Sequence, residues 1–342
     1  MAYPEHVSAR FTGPVPDGMI PKCAEYLREA ELPVQETATG LTVEAPQARL
    51  DLQQDPSGLS LSLDAADRAT LQGTREYLLY LFDSLLPGAD SAMEWSGQFD
   101  RNTAPSNLHL ARVHGVERVA PHFLRVELAC AGTETLARGP GMHFSLLLPP
   151  LGRPPVWPVL DGNGRTVMPE GEDSLHRAVY TFVDFHRDAG RFTFDVFEHD
   201  GGRTTEWARK ATRGEAVAIM GPGGGSLPEG DRLMMAGDET ALPAIRRILE
   251  QSAPDRAGCV VIEVGSRADI CTLPVPDGMT LSWTVRDEGG TLWDHLQDWT
   301  VPARASLWIA AEKALARKAR ARFRDAQGVG RERSYLAMYW TA

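Results

Sequence analysis

Three stretches of this chain put glycines, hydroxyls and helix starts where a nucleotide could be held. In LMMAGDETALPAI (233–245) an apolar run is followed by Gly237, a polar turn and returning apolar residues at Ile245, Ile248 and Leu249. That spacing predicts a strand, a tight turn and a helix, with Thr240 as the N-cap and Pro243 in the first helical turn. A helix start of this kind offers free N–H groups and a positive dipole end, which makes Gly237, Asp238 and Thr240 candidate ligand contacts. In HDGGRTTEWARKA (199–211) a turn at Gly201-Gly202 delivers Thr204 and Thr205 to a second helix start, suited to a pyrophosphate. GPGGGS (221–226) is a third glycine-rich turn, able either to approach a ligand closely or simply to turn sharply.

Other residues fit the rest of a large planar cofactor. Tyr180 can stack on a ring, and Thr181 can meet the ring's polar edge. Adjacent strand residues point to opposite faces, so both roles need a local bend. At the end of VIEVGSR (261–267), Ser266 and Arg267 stand where a doubly wound domain meets an adenosine ribose, and a basic residue there suits a 2′-phosphate. The basic run 313–324 carries Lys313, Arg317, Lys318, Arg320, Arg322 and Arg324. It reads as a solvated face, as help for a nucleotide phosphate, or as attraction for an anionic substrate.

The elements that must position these residues follow a clear order. Residues 1–97 read as a small α+β unit, with a strand at 6–11, a helix at 17–31 carrying Ile20, Cys23, Tyr26 and Leu27 on one side, strands at 40–44, 48–53 and 59–63, and a closing helix at 66–86 with Leu78, Leu81, Phe82 and Leu85 inward. Residues 91–105 read as a polar connector. From 106 to 226 the pattern is a small antiparallel β-barrel, with alternating segments at 108–130, 142–148, 178–185, 191–199 and 215–221 and a Pro- and Gly-rich loop at 149–175. From 230 to 342 strand and helix patterns alternate as in a doubly wound α/β domain, with strands at 259–264, 281–285 and 306–311, a short helix near 292–296 and a basic helix at 312–326.

Composition narrows the possibilities. Four dispersed cysteines, with no CxxC, and nine dispersed histidines argue against a zinc site, an iron–sulfur cluster or a disulfide framework. Redox chemistry would then need an organic cofactor. The net charge of −11 is concentrated at the front: residues 1–100 hold 6 Lys/Arg against 16 Asp/Glu. A nucleic-acid partner is not expected. No apolar run approaches the ~20 residues of a membrane helix, so no membrane insertion is expected. The start, MAYPEHVSARF, lacks the layout of a signal peptide, and the expected location is cytoplasmic.

AGDETALPAI (236–245) closely resembles the nicotinamide-domain signature of the siderophore-interacting proteins. These are flavin-dependent ferric-siderophore reductases of the ferredoxin–NADP reductase-like superfamily, and the likeness runs over roughly residues 106–340. The family's Arg-x-Tyr-Thr is matched by Tyr180 and Thr181, with Arg177 one residue early for a phosphate clamp. Its His-x-x-Gly-Pro-Ala-Ser-x-Trp-Ala is matched by His199, Gly202, Thr205, Trp207 and Ala208, with Arg203 in place of proline. The closing Tyr339-Trp340 resembles an aromatic pair that covers the flavin. Where many relatives have a siderophore-holding lysine two residues after the equivalent of His143, this chain has Ser145. The front unit is similar to a domain of unknown function often fused ahead of these reductases. The resemblance implies FAD and NADPH (or NADH) as cofactors, a ferric siderophore as substrate, and no protein-held metal. Two other readings stay open: a general flavin or ferredoxin-type reductase, and a non-catalytic siderophore-binding protein.

Overall fold

The computed structural model describes residues 3–29, 32–96, 102–139, 141–162, 164–225 and 227–341. The chain divides into two compact units, Met1–Leu108 with Pro150–Leu175, and His109–Pro149 with His176–Ala342.

The first unit is built on a six-stranded antiparallel sheet. Its strands run Val34–Glu36, Gly40–Ala45, Ala48–Asp55, Gly58–Ala65, Glu5–Thr12 and Glu94–Trp95 from edge to edge. Leu59, Leu61 and Leu63 are buried while Ser60, Ser62 and Asp64 stay at the surface, the alternation a one-sided sheet requires. Helices Met19–Glu29 and Arg68–Leu85 pack on the apolar face, the second capped by Asp67, which accepts from the Thr70 N–H at 2.8 Å.

Three expectations need correction here. Tyr26 is 45% exposed, because the inward stripe of its helix is Ile20, Cys23, Ala24 and Leu27, and position 26 lies off that stripe. The stretch read as a connector contributes the edge strand Glu94–Trp95, which pairs with Glu5–Thr12; residues 97–101 lie outside the described residues. The loop read as part of the barrel belongs to the first unit. It forms a small hairpin, Val159–Leu160 with Thr166–Val167, whose Gly164 carbonyl accepts from Gln72 and Arg75, while Glu76 accepts from the Thr166 N–H at 3.0 Å. Arg75 is almost fully buried, and a buried guanidinium must find acceptors. That demand is met by a segment some 90 residues away in sequence, a pairing no local pattern records.

In the second unit, seven antiparallel strands form a barrel in the order His176–Thr181, His143–Leu148, Ala216–Gly223, Leu108–Ala120, Phe123–Cys130, Arg191–Phe197, Phe185–His186. Closure comes from the turn after Thr181, where the Val183 N–H donates to the Thr193 carbonyl at 2.8 Å and the Thr193 N–H to the Asp184 carbonyl at 2.9 Å. Phe144, Phe182, Phe192 and Phe194 fill the barrel, with Phe144 centroids 4.5–5.4 Å from the other three.

A five-stranded parallel sheet follows, ordered Gly278–Val285, Ala257–Val264, Arg232–Gly237, Ser306–Glu312, Ser334–Trp340. Its central strands are almost wholly buried, as sheets covered on both faces are. Helices Leu242–Glu250, Leu292–Leu296 and Lys313–Arg320 connect the strands. In chain order the strands read 3-2-1-4-5, so the order reverses between Arg232–Gly237 and Ser306–Glu312, where such sheets bind ligands.

Truncating Phe144 to alanine removes the ring on which the other three pack. The expected loss is about 3–5 kcal/mol in a denaturant melt. A loss below about 1 kcal/mol would show that this cluster does not hold the barrel.

Candidate active site

At the reversal point the strand Arg232–Gly237 ends on a glycine for a steric reason. A Cβ on Gly237 would lie 2.5 Å from the Ala241 Cβ and 2.9 Å from the Ala310 carbonyl oxygen. Asp238 comes next and is 4% exposed. Its carboxylate accepts four hydrogen bonds: from the Thr240 N–H (3.0 Å), the Thr240 hydroxyl (2.5 Å), the Glu312 N–H (3.1 Å) and the Trp340 indole N–H (2.8 Å). Burial pushes its pKa up, while the hydrogen bonds from Thr240 and Trp340 act against that. Thr240 therefore does not cap the helix. The helix begins at Leu242 with Ala241 in the cap position and Pro243 in its first turn, and Thr240 is spent on Asp238. Asp238 thus joins the ends of strands one and four to the C-terminal aromatic.

A second node lies on the barrel side. His143, 6% exposed, has Nδ1 3.1 Å from the Thr181 hydroxyl and Nε2 3.1 Å from the Tyr339 hydroxyl. Burial, with a smaller contribution from the nearby Arg247 charge, lowers its pKa to about 4. The ring is therefore neutral at pH 7, with one nitrogen donating and the other accepting. Arg247 donates to the Phe182 carbonyl at 3.1 Å, and its guanidinium lies 5.5 Å from the Phe185 ring centroid. Gly224, at φ +79°, and Gly225 approach this node so closely that added Cβ atoms would lie 2.4 Å from the His143 ring and 2.8 Å from the Tyr335 ring. Gly224 and Gly225 of the GPGGGS loop are required by that contact, whereas a Cβ on Gly223 would meet nothing; Ser226 lies outside the described residues.

The strand His176–Thr181 presents different residues on its two faces. On one, His176 Nε2 is 3.0 Å from the Thr204 hydroxyl, and Tyr180 packs on Phe194 at 5.0 Å. Tyr180 also hydrogen-bonds Thr204, but burial dominates and pushes its hydroxyl up to about 12. On the other face are Thr181 and Arg177, whose Nε donates to the Ser145 hydroxyl at 3.1 Å. Arg177 does not join the group around Thr204, because its one-residue offset turns it to the opposite face. Helix Arg203–Lys210 starts at Gly202 without a side-chain cap. Thr205 accepts from the His199 N–H at 3.4 Å, and Trp207 donates to Glu215 at 2.7 Å. Among the described residues, the N–H groups of Arg203, Thr204 and Thr205 have no acceptor.

Ser266 and Arg267 form a third place at the sheet's rim. Ser266 caps a short 3₁₀ turn through the Ala268 N–H. Arg267 is held by both oxygens of Glu288, at 2.7 and 2.5 Å. Much of the basic helix is committed locally: Arg320 donates to the Leu336 carbonyl, Arg324 to Ser334, Arg322 to the Trp299 carbonyl, and Lys318 lies 3.9 Å above the Trp293 ring. The long-range partners of Asp238, His143 and Arg267 carry no local sequence signal. Among the described residues no group of three or more His, Cys, Asp or Glu side chains is placed to hold a metal ion.

The donor set suits a dinucleotide-sized flavin. The helix start at 202–205 offers N–H groups without acceptors, and a Cβ on Gly202 would strike the His199 ring at 2.8 Å and the Thr205 hydroxyl at 2.9 Å. An FAD-binding β-barrel followed by an α/β nucleotide-binding domain is the class of protein this architecture defines. Residues 112–226 match the siderophore-interacting FAD-binding domain, and residues 230–342 match the siderophore-interacting protein domain. Over that span the chain belongs to the siderophore-interacting protein family.

An uncharacterized protein of Mycobacterium tuberculosis is 31% identical over 190 residues, which cover 52% of this chain and 65% of that one. The NADPH-dependent ferric-chelate reductase of Escherichia coli is 29% identical over 237 residues, covering 66% of this chain and 90% of that one. The crystal structure of a siderophore utilization protein from T. fusca superposes with a TM-score of 0.61 at 27% identity, covering 71% of this chain and 95% of that one.

The depressed pKa of His143 makes stability pH-dependent. The unfolded chain takes up a proton near pH 6.5 that the folded one refuses until about 4, so this contribution is intact above pH 6.5 and is lost as pH falls toward 4. Up to about 3 kcal/mol is expected from this group. Comparing wild type with His143→Gln by denaturant melts at pH 7 and pH 4.5 isolates it: the acid-side loss should be smaller in the variant. Equal losses would contradict the assignment.

Proposed function

We propose that the chain is a cytoplasmic ferric-siderophore reductase that takes electrons from NADPH, passes them through FAD and delivers them to Fe(III) held in a siderophore. The observation that carries this reading is the junction itself. Thr181 of the barrel is linked through His143 to Tyr339 of the last strand, next to the Trp340–Asp238–Glu312 contacts at the sheet's reversal point. The side expected to meet a flavin and the side expected to meet a nicotinamide are thereby held together by hydrogen bonds that centre on two buried side chains, His143 and Asp238. Family membership and the named activity of the Escherichia coli relative support the same reading.

In this reading the N–H groups of Arg203, Thr204 and Thr205 hold the pyrophosphate, with Gly202 keeping the approach open. Thr181, oriented by His143, meets the polar edge of the ring, while Tyr180, on the strand's other face, packs on Phe194 and hydrogen-bonds Thr204 at the helix start. Trp340 is 42% exposed, with its N–H pinned by Asp238, so the indole stands ready as a cover. Gly237 and Thr240 border the place for the nicotinamide. When bound, FAD supplies a two-electron acceptor that can release electrons one at a time. Fe(II) carries less charge than Fe(III) and is held less tightly by hard oxygen donors, so reduction favours release. Outer-sphere transfer needs no general acid or base, and the protein's part is to orient the groups and keep water away.

The experiment is a turnover assay with a chromogenic trap for Fe(II). NADPH oxidation should depend on an added ferric siderophore and yield two trapped Fe(II) per nucleotide. Nucleotide oxidation that ignores the chelate, or a protein that releases no FAD on denaturation, would overturn the reading. Gly202→Val should weaken FAD binding at least about tenfold by filling the helix start, read as flavin retained after desalting. Full retention would remove the pyrophosphate from that helix.

A further inference from the structure

We propose that Glu288 sets the nucleotide preference of this protein by neutralising Arg267, so that a nicotinamide donor without a 2′-phosphate is accepted as readily as one with it. The inference rests on the nicotinamide-donor reading above and refines it.

Arg267 follows strand Ala257–Val264, where a doubly wound sheet meets the adenosine ribose, and a free guanidinium there would favour a 2′-phosphate. This guanidinium is not free. Its Nε and Nη2 donate to the two carboxylate oxygens of Glu288 at 2.7 and 2.5 Å, a two-pronged geometry that satisfies the fork an incoming phosphate would use. Glu288 comes from the turn after the neighbouring strand, Gly278–Val285, and that turn is fastened. The Asp287 N–H donates to the Gly265 carbonyl at 3.1 Å, Gly289 closes the turn at φ +83°, and the Gly289 N–H donates to the Arg286 carbonyl at 2.9 Å. The Gly265 N–H in turn donates to Glu239 at 2.6 Å. The carboxylate is therefore presented to Arg267 by two loops tied to each other.

The second guanidinium on this rim offers no substitute. Arg286 is held by Glu239 and by Glu263, the latter at 2.6 Å. Three carboxylates thus face two guanidinium groups, leaving a local excess of negative charge where a 2′-phosphate would arrive. Such a phosphate must share or displace Glu288, and it gains little net attraction. A 2′-hydroxyl meets no repulsion, and Glu288 can accept a hydrogen bond from it. The Arg267–Glu288 pair is open to solvent, at 71% and 48% side-chain exposure, so it opens easily; it tunes selectivity rather than closing the site.

The test is calorimetric titration of the FAD-loaded protein with NAD⁺ and NADP⁺, nucleotides that bind without turnover. Wild type should bind the two with Kd values within about tenfold of each other. Glu288→Gln should move the ratio toward NADP⁺ by about tenfold or more, almost entirely through the NADP⁺ value. Adding Arg267→Gln to that variant should cancel the gain. A wild-type preference for NADP⁺ beyond about a hundredfold, a Glu288→Gln effect equal for both nucleotides, or a gain that survives loss of Arg267 would overturn the proposal. Failure of both nucleotides to bind would overturn the nicotinamide-donor reading itself, an outcome distinct from the others.

Discussion

A carboxylate taken out of water must be compensated, and Asp238 shows how much structure that requirement organises. Burying an unpaired carboxylate costs several kcal/mol. Here the cost is offset by four donors from three parts of the chain: the turn at Thr240, the end of the fourth strand at Glu312, and the indole of Trp340. None of these is replaceable by water, because Asp238 is 4% exposed. Meeting that demand keeps the reversal point of the sheet closed around one geometry and pins the last aromatic of the strand Ser334–Trp340 beside it. The neighbouring Tyr339 then reaches His143, and His143 orients Thr181. Removing any donor would leave the carboxylate short of a partner and loosen the link from sheet to barrel.

The second constraint is the parity of a strand. His176 and Tyr180 look toward the helix start at Thr204, whereas Arg177 and Thr181 look toward Ser145 and His143. A one-residue offset in an otherwise recognisable motif therefore changes what a side chain can touch, not merely where it sits. Arg177 is present near the expected position and yet faces away from the expected anion site. Arg203, at the exposed start of the helix beside Thr204, is a cation whose charge does reach that side, where it helps to lower the His176 pKa after burial.

Much of the architecture was legible because it rests on local periodicity. Alternating apolar residues marked strands of the six-stranded sheet and of the barrel, and the strand–glycine–helix junction at Gly237 marked the reversal point of the parallel sheet. What stayed hidden depended on long-range pairing. Thr240 looked like a helix cap until Asp238 claimed its hydroxyl. The segment 150–175 looked like a barrel loop, but its Gly164 carbonyl answers a buried arginine near residue 75. Arg267 looked free because its partner, Glu288, lies on the loop after the next strand. The basic helix looked like one charged face, although several of its side chains end on backbone carbonyls or an aromatic ring. Charged side chains were harder to place than apolar ones because their partners are chosen by the finished fold.

The central claim is that the joined barrel and sheet pass electrons from a nicotinamide nucleotide to a ferric chelate. Its most direct test is an anaerobic absorbance trace of the FAD-loaded protein, with NADPH added first and a ferric siderophore second. The account predicts bleaching of the flavin band on the first addition and its recovery on the second, in step with the colour of an Fe(II) trap. A flavin that does not bleach with NADPH or NADH would contradict the account. So would one that bleaches and is not restored by any ferric siderophore.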